Sequence, residues 1–174
     1  MRNFFTYAAL FVVAVVVVQL FVFDSMRVSI WFSPLAYIAF VVLLPPSARP
    51  LGVLLLGLGT GATVDFFEGT IGLHTAATLF TAYVRRWAMS VTLGHEALEE
   101  GIAMPSPKVS GSGRFFRYAA LIVAIHCVAF FSLEALTLDN YHLVILKAAV
   151  SSAATLVAVW ACSLLFTSQS AKRL

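Results

Sequence analysis

Gly57 to Arg85 reads GLGTGATVDFFEGTIGLHTAATLFTAYVR. Two largely apolar runs meet at a turn near Gly69-Thr70, with a carboxylate, Asp65, before it and an imidazole, His74, after it. Extended outward, the first run covers about Pro50 to Phe67 and the second about Gly72 to Met89. Each is close to the ~20 helical residues that cross a hydrocarbon core. Asp65 lies four residues before Gly69 and His74 four residues after Thr70. At a rise of ~1.5 Å per residue both sit ~6 Å below the turn, a depth at which they are expected to hydrogen-bond across the hairpin. Within the first run, Gly57 and Gly61 form a GxxxG step that Asp65 continues at the same spacing. Small residues let a second helix approach closely in lipid.

The rest of the chain carries the same signature. Of its 174 residues 61% are hydrophobic and 11% charged, against roughly 45–50% and about 25% in soluble domains. So little charge leaves too few polar groups to clothe a water-soluble globule, and the expected solvent is lipid. Four more spans are expected: about Phe4 to Phe23, Trp31 to Leu44, Phe115 to Leu136 and His142 to Thr167. The first is too long for a signal-peptide core and no small-x-small cleavage site follows it. The second is short, with Pro34 in its first turn and Pro45-Pro46 as its stop. The fold class is therefore all-α, a single membrane domain (1–174) of six transmembrane helices.

Charge orients this bundle. With the N-terminus in the cytoplasm, Arg2, Arg49, Arg85, Arg86, Lys108, Arg114, Arg117, Lys172 and Arg173 face in, while Arg27 and Lys147 face out. Nine against two obeys the positive-inside rule under one six-span assignment. Asp24, Asp65, Glu68, Glu134 and Asp139 face out, and Glu96, Glu99 and Glu100 face in. Both termini are then cytoplasmic. The long connection, about Ser90 to Gly113, is expected to hold a short surface helix and then a mobile linker, MPSPKVSGSG. The +3 net charge follows from topology. No aromatic-interleaved basic patch points to nucleic acid.

Intramembrane polar groups are the candidates for function, because a lipid-exposed charge costs roughly 2.5–3.5 kcal/mol on insertion scales. Glu134 and Lys147 flank the turn between the last two spans and read as a structural ion pair. Asp65 with His74 reads either as a structural clasp or as a contact for a partner or ligand; a proton relay is a lesser reading. His126, alone in the fifth span, reads as a satisfied core histidine. The last span offers a small face in Ala154, Ala158 and Ala161. GLGTGA matches the GxGxxA fingerprint of dinucleotide folds, but the acidic residue needed ~20 positions on is missing. There is no HExxH, CxxC, GxSxG or P-loop, and neither enzymatic activity, metal nor cofactor is expected. Cys127 and Cys162 read as buried small hydrophobes.

Four features in order carry a likeness to a known family. They are Gln19-Leu20 closing the first span, SPLAYIAFVVLLPP (Ser33 to Pro46), GLGTGATVD (Gly57 to Asp65) and GTIGLHTAATLFTAYVR (Gly69 to Arg85). Together they resemble the rod shape-determining protein MreD family, in its Bacteroidetes-type variant. After Arg86 the likeness is one of hydropathy and length. The resemblance implies a non-enzymatic inner-membrane scaffold of the bacterial cell-wall elongation complex. Its partners would be a bitopic MreC-like protein and, beyond it, MreB filaments and the peptidoglycan synthases (a RodA-type glycosyltransferase and its transpeptidase). It implies that Gly57, Gly61, Asp65, Gly72 and His74 form a fold-defining or partner-binding surface. It also implies a fold similar to the substrate-binding subunits of energy-coupling-factor transporters, whose pocket opens outward. The alternative function is accordingly a solute-binding transporter subunit with an outer pocket near Asp65 and His74.

Overall fold

The computed structural model describes residues 34–94, 105–136 and 141–170, with side chains through 164. The expected first span, the start of the second, the loop acids Glu96, Glu99 and Glu100, and the charges at both termini lie outside the described residues. A short helix α1 (Ala39–Leu43) follows a 3-10 turn over Ala36–Ile38. Then come α2 (Pro50–Glu68), α3 (Leu73–Leu93), a single turn α4 (Pro107–Ser110), α5 (Ser112–Ala135) and α6 (Tyr141–Ser170). The described residues are all-helical, with no strand among them.

Three of these helices are long and apolar enough to cross a membrane: Pro50–Glu68, Ser112–Ala135 and Tyr141–Leu164. With 21 residues, α3 has the length, at about 31 Å, but not the mean apolarity. The reason is where its polar groups point. His74, Thr78, Thr81 and Arg85 recur with helical spacing and are all buried, so the helix turns a polar stripe inward and an apolar face outward.

Packing runs in series from α2 to α3, from α3 to α5 and from α5 to α6, with α1 lodged against α3 and α6. Side-chain contacts fix the directions. Phe130 near the end of α5 meets His74 at the start of α3, whereas Phe115 at the start of α5 meets Trp160 late in α6. Neighbours are therefore antiparallel. That arrangement gathers Arg49, Arg85 and Arg86 at one end of the bundle, and Asp65, Glu68 and His74 at the other.

The short segment from Leu35 to Leu44 is the centre of the molecule; every one of its residues is buried. A helix that is apolar all round belongs in an interior. It is also shorter than the expected second span: Pro34 and Leu35 precede the helix instead of opening it. Leu35 N–H donates to Thr155 Oγ1 of α6 at 2.9 Å, which ties this entry to the far helix. Outside, α2 presents Leu51, Leu55 and Leu58, and the other helices add Phe80, Trp87, Phe116 and Val157, all exposed. An apolar belt on that scale suits lipid rather than water.

The linker reading of MPSPKVSGSG is corrected in its described part. Ser106 caps α4 by accepting from Val109 N–H, with Pro107 at the first helical position, and the turn packs on α5 and α6. A Ser-Pro pair at a helix start is a nucleating signal, which outweighed the loop-like composition. Its neighbour α5 starts at Ser112, earlier than expected.

Candidate functional site

The α2–α3 hairpin is built around Asp65. Its Oδ1 accepts from Thr70 Oγ1 at 2.6 Å and from the His74 N–H at 2.9 Å. Its Oδ2 accepts from the Thr75 N–H at 2.9 Å and from Thr75 Oγ1 at 2.6 Å. The first N–H groups of a helix have no partner within it, and Gly72, which precedes α3, has no side chain to offer one. A carboxylate from the neighbouring helix supplies the cap, with its charge at the positive end of the helix dipole. The turn permits this because Gly69 and Gly72 both take left-handed backbone, at φ 70 and 77, which glycine adopts without a Cβ clash.

The expected Asp65–His74 contact is present in another form: the carboxylate holds the backbone of His74, and the ring turns away from it. His74 Nε2 lies 3.1 Å from Glu68 Oε2 and Nδ1 lies 3.0 Å from the Tyr37 hydroxyl. The Tyr37 hydroxyl is 2.8 Å from His126 Nε2, and His126 Nδ1 is 3.0 Å from Thr81 Oγ1. Thr81 Oγ1 in turn donates to the Ala77 carbonyl at 2.7 Å. Five side chains from four segments thus form one continuous polar chain through the interior. Tyr37, His74 and His126 are almost wholly buried, and their rings pack edge to face, with centroids 5.4 and 5.5 Å apart.

Gly57 and Gly61 are also interior. A Cβ on Gly61 would stand 2.5 Å from Thr75 Cα and 2.8 Å from Thr75 N, so the backbones of α2 and α3 touch there. A Cβ on Gly57 would meet Thr78 Cγ2 and Ala82 Cβ at an ordinary 3.5 Å. The residues expected to form a partner or pocket surface are therefore the seam of the hairpin: Gly57, Gly61, Asp65 and His74 are buried, and Gly72 alone is exposed. The spacing that suits a partner helix suits the chain's own next helix equally, and the short turn delivers that helix first.

At the opposite end Arg85, 4% exposed, fastens α1. Its Nε donates to the Val41 carbonyl at 2.7 Å, and its Nη2 to the carbonyls of Leu44 and Pro45. Pro45 and Pro46 end α1 and leave the Val41 and Leu44 carbonyls without helical donors; the guanidinium replaces them, and the Pro45 carbonyl also accepts from the Ala48 N–H at 3.1 Å. Beside it, Pro46, Pro50, Val53, Tyr83, Arg86 and Met89 line a cleft of about 230 Å³. Glu134 and Lys147 form an ion pair at 2.7 Å, and the Lys147 ammonium also lies over the Phe131 ring, 4.7 Å from its centroid. In the last span Ala148 is buried, while Ala161 is exposed in a groove with Phe116 and Trp160.

Sequence reasoning passed over Tyr37, Glu68, Thr81 and the inward role of Arg85. The signal was present: His74, Thr78, Thr81 and Arg85 follow one another at helical intervals of four, three and four residues. Polar groups at that spacing in an otherwise apolar helix mark a face turned inward.

No family profile, curated protein or solved structure matches the chain.

Proposed function

We propose that the chain is a six-span scaffold of the bacterial inner membrane, with both termini in the cytoplasm, that serves the cell-wall elongation complex without catalysing a reaction. It would hold a bitopic MreC-like partner and through it link MreB filaments to peptidoglycan synthases. The reading rests on the likeness of GLGTGATVD and GTIGLHTAATLFTAYVR to the MreD family. It is supported by one observation: these two strings fold onto each other as a single hairpin whose polar atoms are engaged within the chain. Asp65 alone gathers four donors. A region built this way sets the shape of a platform. The transporter alternative needs free polar groups near Asp65 and His74 to greet a solute, and both side chains are already bonded inside the fold.

The partner surface must then lie on what the hairpin exposes. Phe66, Phe67 and Ile71 stand out at its tip, Ile71 wholly so. Affinity capture of the tagged protein from native membranes is the test. A bitopic membrane protein should co-purify, and depletion should round the cells. Capture without such a partner, with cells of normal shape after depletion, would remove the reading. Specific solute uptake on co-expression with an energising module would put the transporter in its place.

A further inference from the structure

We propose that the cleft between α2, α3 and the turn after α1 binds an anionic phospholipid, with the lipid phosphate on Arg86 and an acyl chain against the apolar wall. The site is argued from the cleft itself and does not depend on the scaffold reading.

Charge is the first ground. Arg85 is buried in the cleft wall, and its side chain donates only to the carbonyls of Val41, Leu44 and Pro45. Carbonyls satisfy its N–H groups but bring no net charge, and no carboxylate among the described residues is paired with it. A buried charge without a counter-charge is costly. Arg86 follows on the same wall, exposed, and Arg49 stands between Ala48 and Pro50, which both line the cleft. Among the described residues, neither Arg49 nor Arg86 has a side-chain hydrogen bond or an ion pair, and no acid lines the cleft. Three cations thus gather there without an anion. The start of α2 lies at the same place and has no side-chain cap, so its first N–H groups add positive potential. The other helix start of the hairpin differs, because Asp65 already caps α3.

Depth is the second ground. Gly61 touches Thr75 across the hairpin, and Pro50 lies as far from Gly61 along α2 as Arg86 lies from Thr75 along α3. In an antiparallel pair those two residues are level. Pro50 opens a helix long and apolar enough to cross a membrane, so Arg86 stands where hydrocarbon gives way to headgroups. Tyr83 and Trp87, 76% and 57% exposed, flank it, as aromatic residues do at that boundary.

The lining selects the ligand. Val53, Leu54, Ala82 and Met89 make much of the wall apolar, which suits an acyl chain and offers nothing to a free anion. At about 230 Å³ the cleft is smaller than the ~300–1,000 Å³ of typical small-molecule sites. It has room for a phosphate and the first part of a chain. A guanidinium matches phosphate oxygens in pairs, and basic pockets between membrane helices hold anionic headgroups. A zwitterionic headgroup would bring its own cation against these arginines, so the preference is for lipids of net negative charge.

Native mass spectrometry of the full chain in detergent micelles tests this, with phosphatidylglycerol and phosphatidylcholine of identical acyl chains as probes. Phosphatidylglycerol should bind at least about tenfold more tightly, as one charge-assisted contact would give; equal affinities overturn the proposal. Arg86→Gln should weaken phosphatidylglycerol binding about tenfold by the same measure. Arg117 is also exposed and lies at the same end of the bundle, outside the cleft. Arg117→Gln should therefore weaken binding by less than about threefold, the worth of an exposed charge. Equal losses in the two variants would mean diffuse attraction to a basic face, and the site would fall. Excess inorganic phosphate should leave the lipid in place; displacement would make the ligand a free anion and overturn the lipid assignment. If Arg86→Gln does not fold, the wild-type preference and the phosphate competition decide.

Discussion

Asp65 concentrates more of the structure than any other single residue described. Replacing it with alanine removes a charged cap and four hydrogen bonds, and strands two helix N–H groups. Cap losses cost about 0.5–2 kcal/mol, and a hydrogen bond to a charged group contributes about 1.5–3, without adding up over bonds that share one carboxylate. A net destabilisation of about 3 kcal/mol is expected for Asp65→Ala in unfolding from detergent micelles. Asp65→Asn keeps the shape but turns an amide donor toward Thr75 or Thr70, and should recover less than half of that. A second contrast is sharper because both members are glycines. Gly61→Ala drives a methyl into the Thr75 backbone and should cost about 1–3 kcal/mol, as overpacking does. Gly57→Ala finds ordinary contact distances and should fall within about 0.5 kcal/mol of wild type. Equal effects at the two sites would mean that α2 and α3 do not touch at Gly61.

Among the elements, α1 depends most on another. It is too short to be stable alone, and its last carbonyls are served by Arg85 from α3. Arg85→Met should leave the Val41 and Leu44 carbonyls without this donor, the Pro45 carbonyl keeping Ala48 N–H, and cost about 2–4 kcal/mol. Arg85→Lys should rescue only part of this, since an ammonium lacks the planar fork that reaches several acceptors at once; full rescue would argue against the clamp. Here the sequence was only partly legible. The ends of α2 and the place of the α2–α3 turn could be read from Pro50, Gly69 and the apolar run, because proline, glycine and hydropathy act locally. Glu134 with Lys147 was readable for the same reason, both flanking one short turn. The partners of His74 and His126 were not, because Tyr37 lies 37 and 89 positions away from them and no local rule joins them. Arg85 was counted with the loop charges, since composition cannot tell a cation facing water from one facing carbonyls.

For the whole molecule, charge asymmetry and antiparallel packing point the same way. Arg49, Arg85 and Arg86 share the end with the 230 Å³ cleft, and the carboxylates Asp65 and Glu68 share the other. Under the proposed reading, the positive-inside rule would put the arginine end on the cytoplasmic side. If that proposal holds, reporter fusions at both termini should report the same cytoplasmic side; termini on opposite faces would undo the proposed six-span order along with the proposed periplasmic placement of the Asp65 turn.

Every donor to Asp65 lies later in the chain than the carboxylate itself: Thr70, His74 and Thr75. A ribosome therefore delivers the acid to the translocon before anything exists to neutralise it. Until about the first turn of α3 has emerged, that carboxylate has none of the four donors that surround it in the fold, and a lone charge in a lipid-facing helix is costly. The order of synthesis thus leaves the acid of α2 waiting on residues of the helix that follows it.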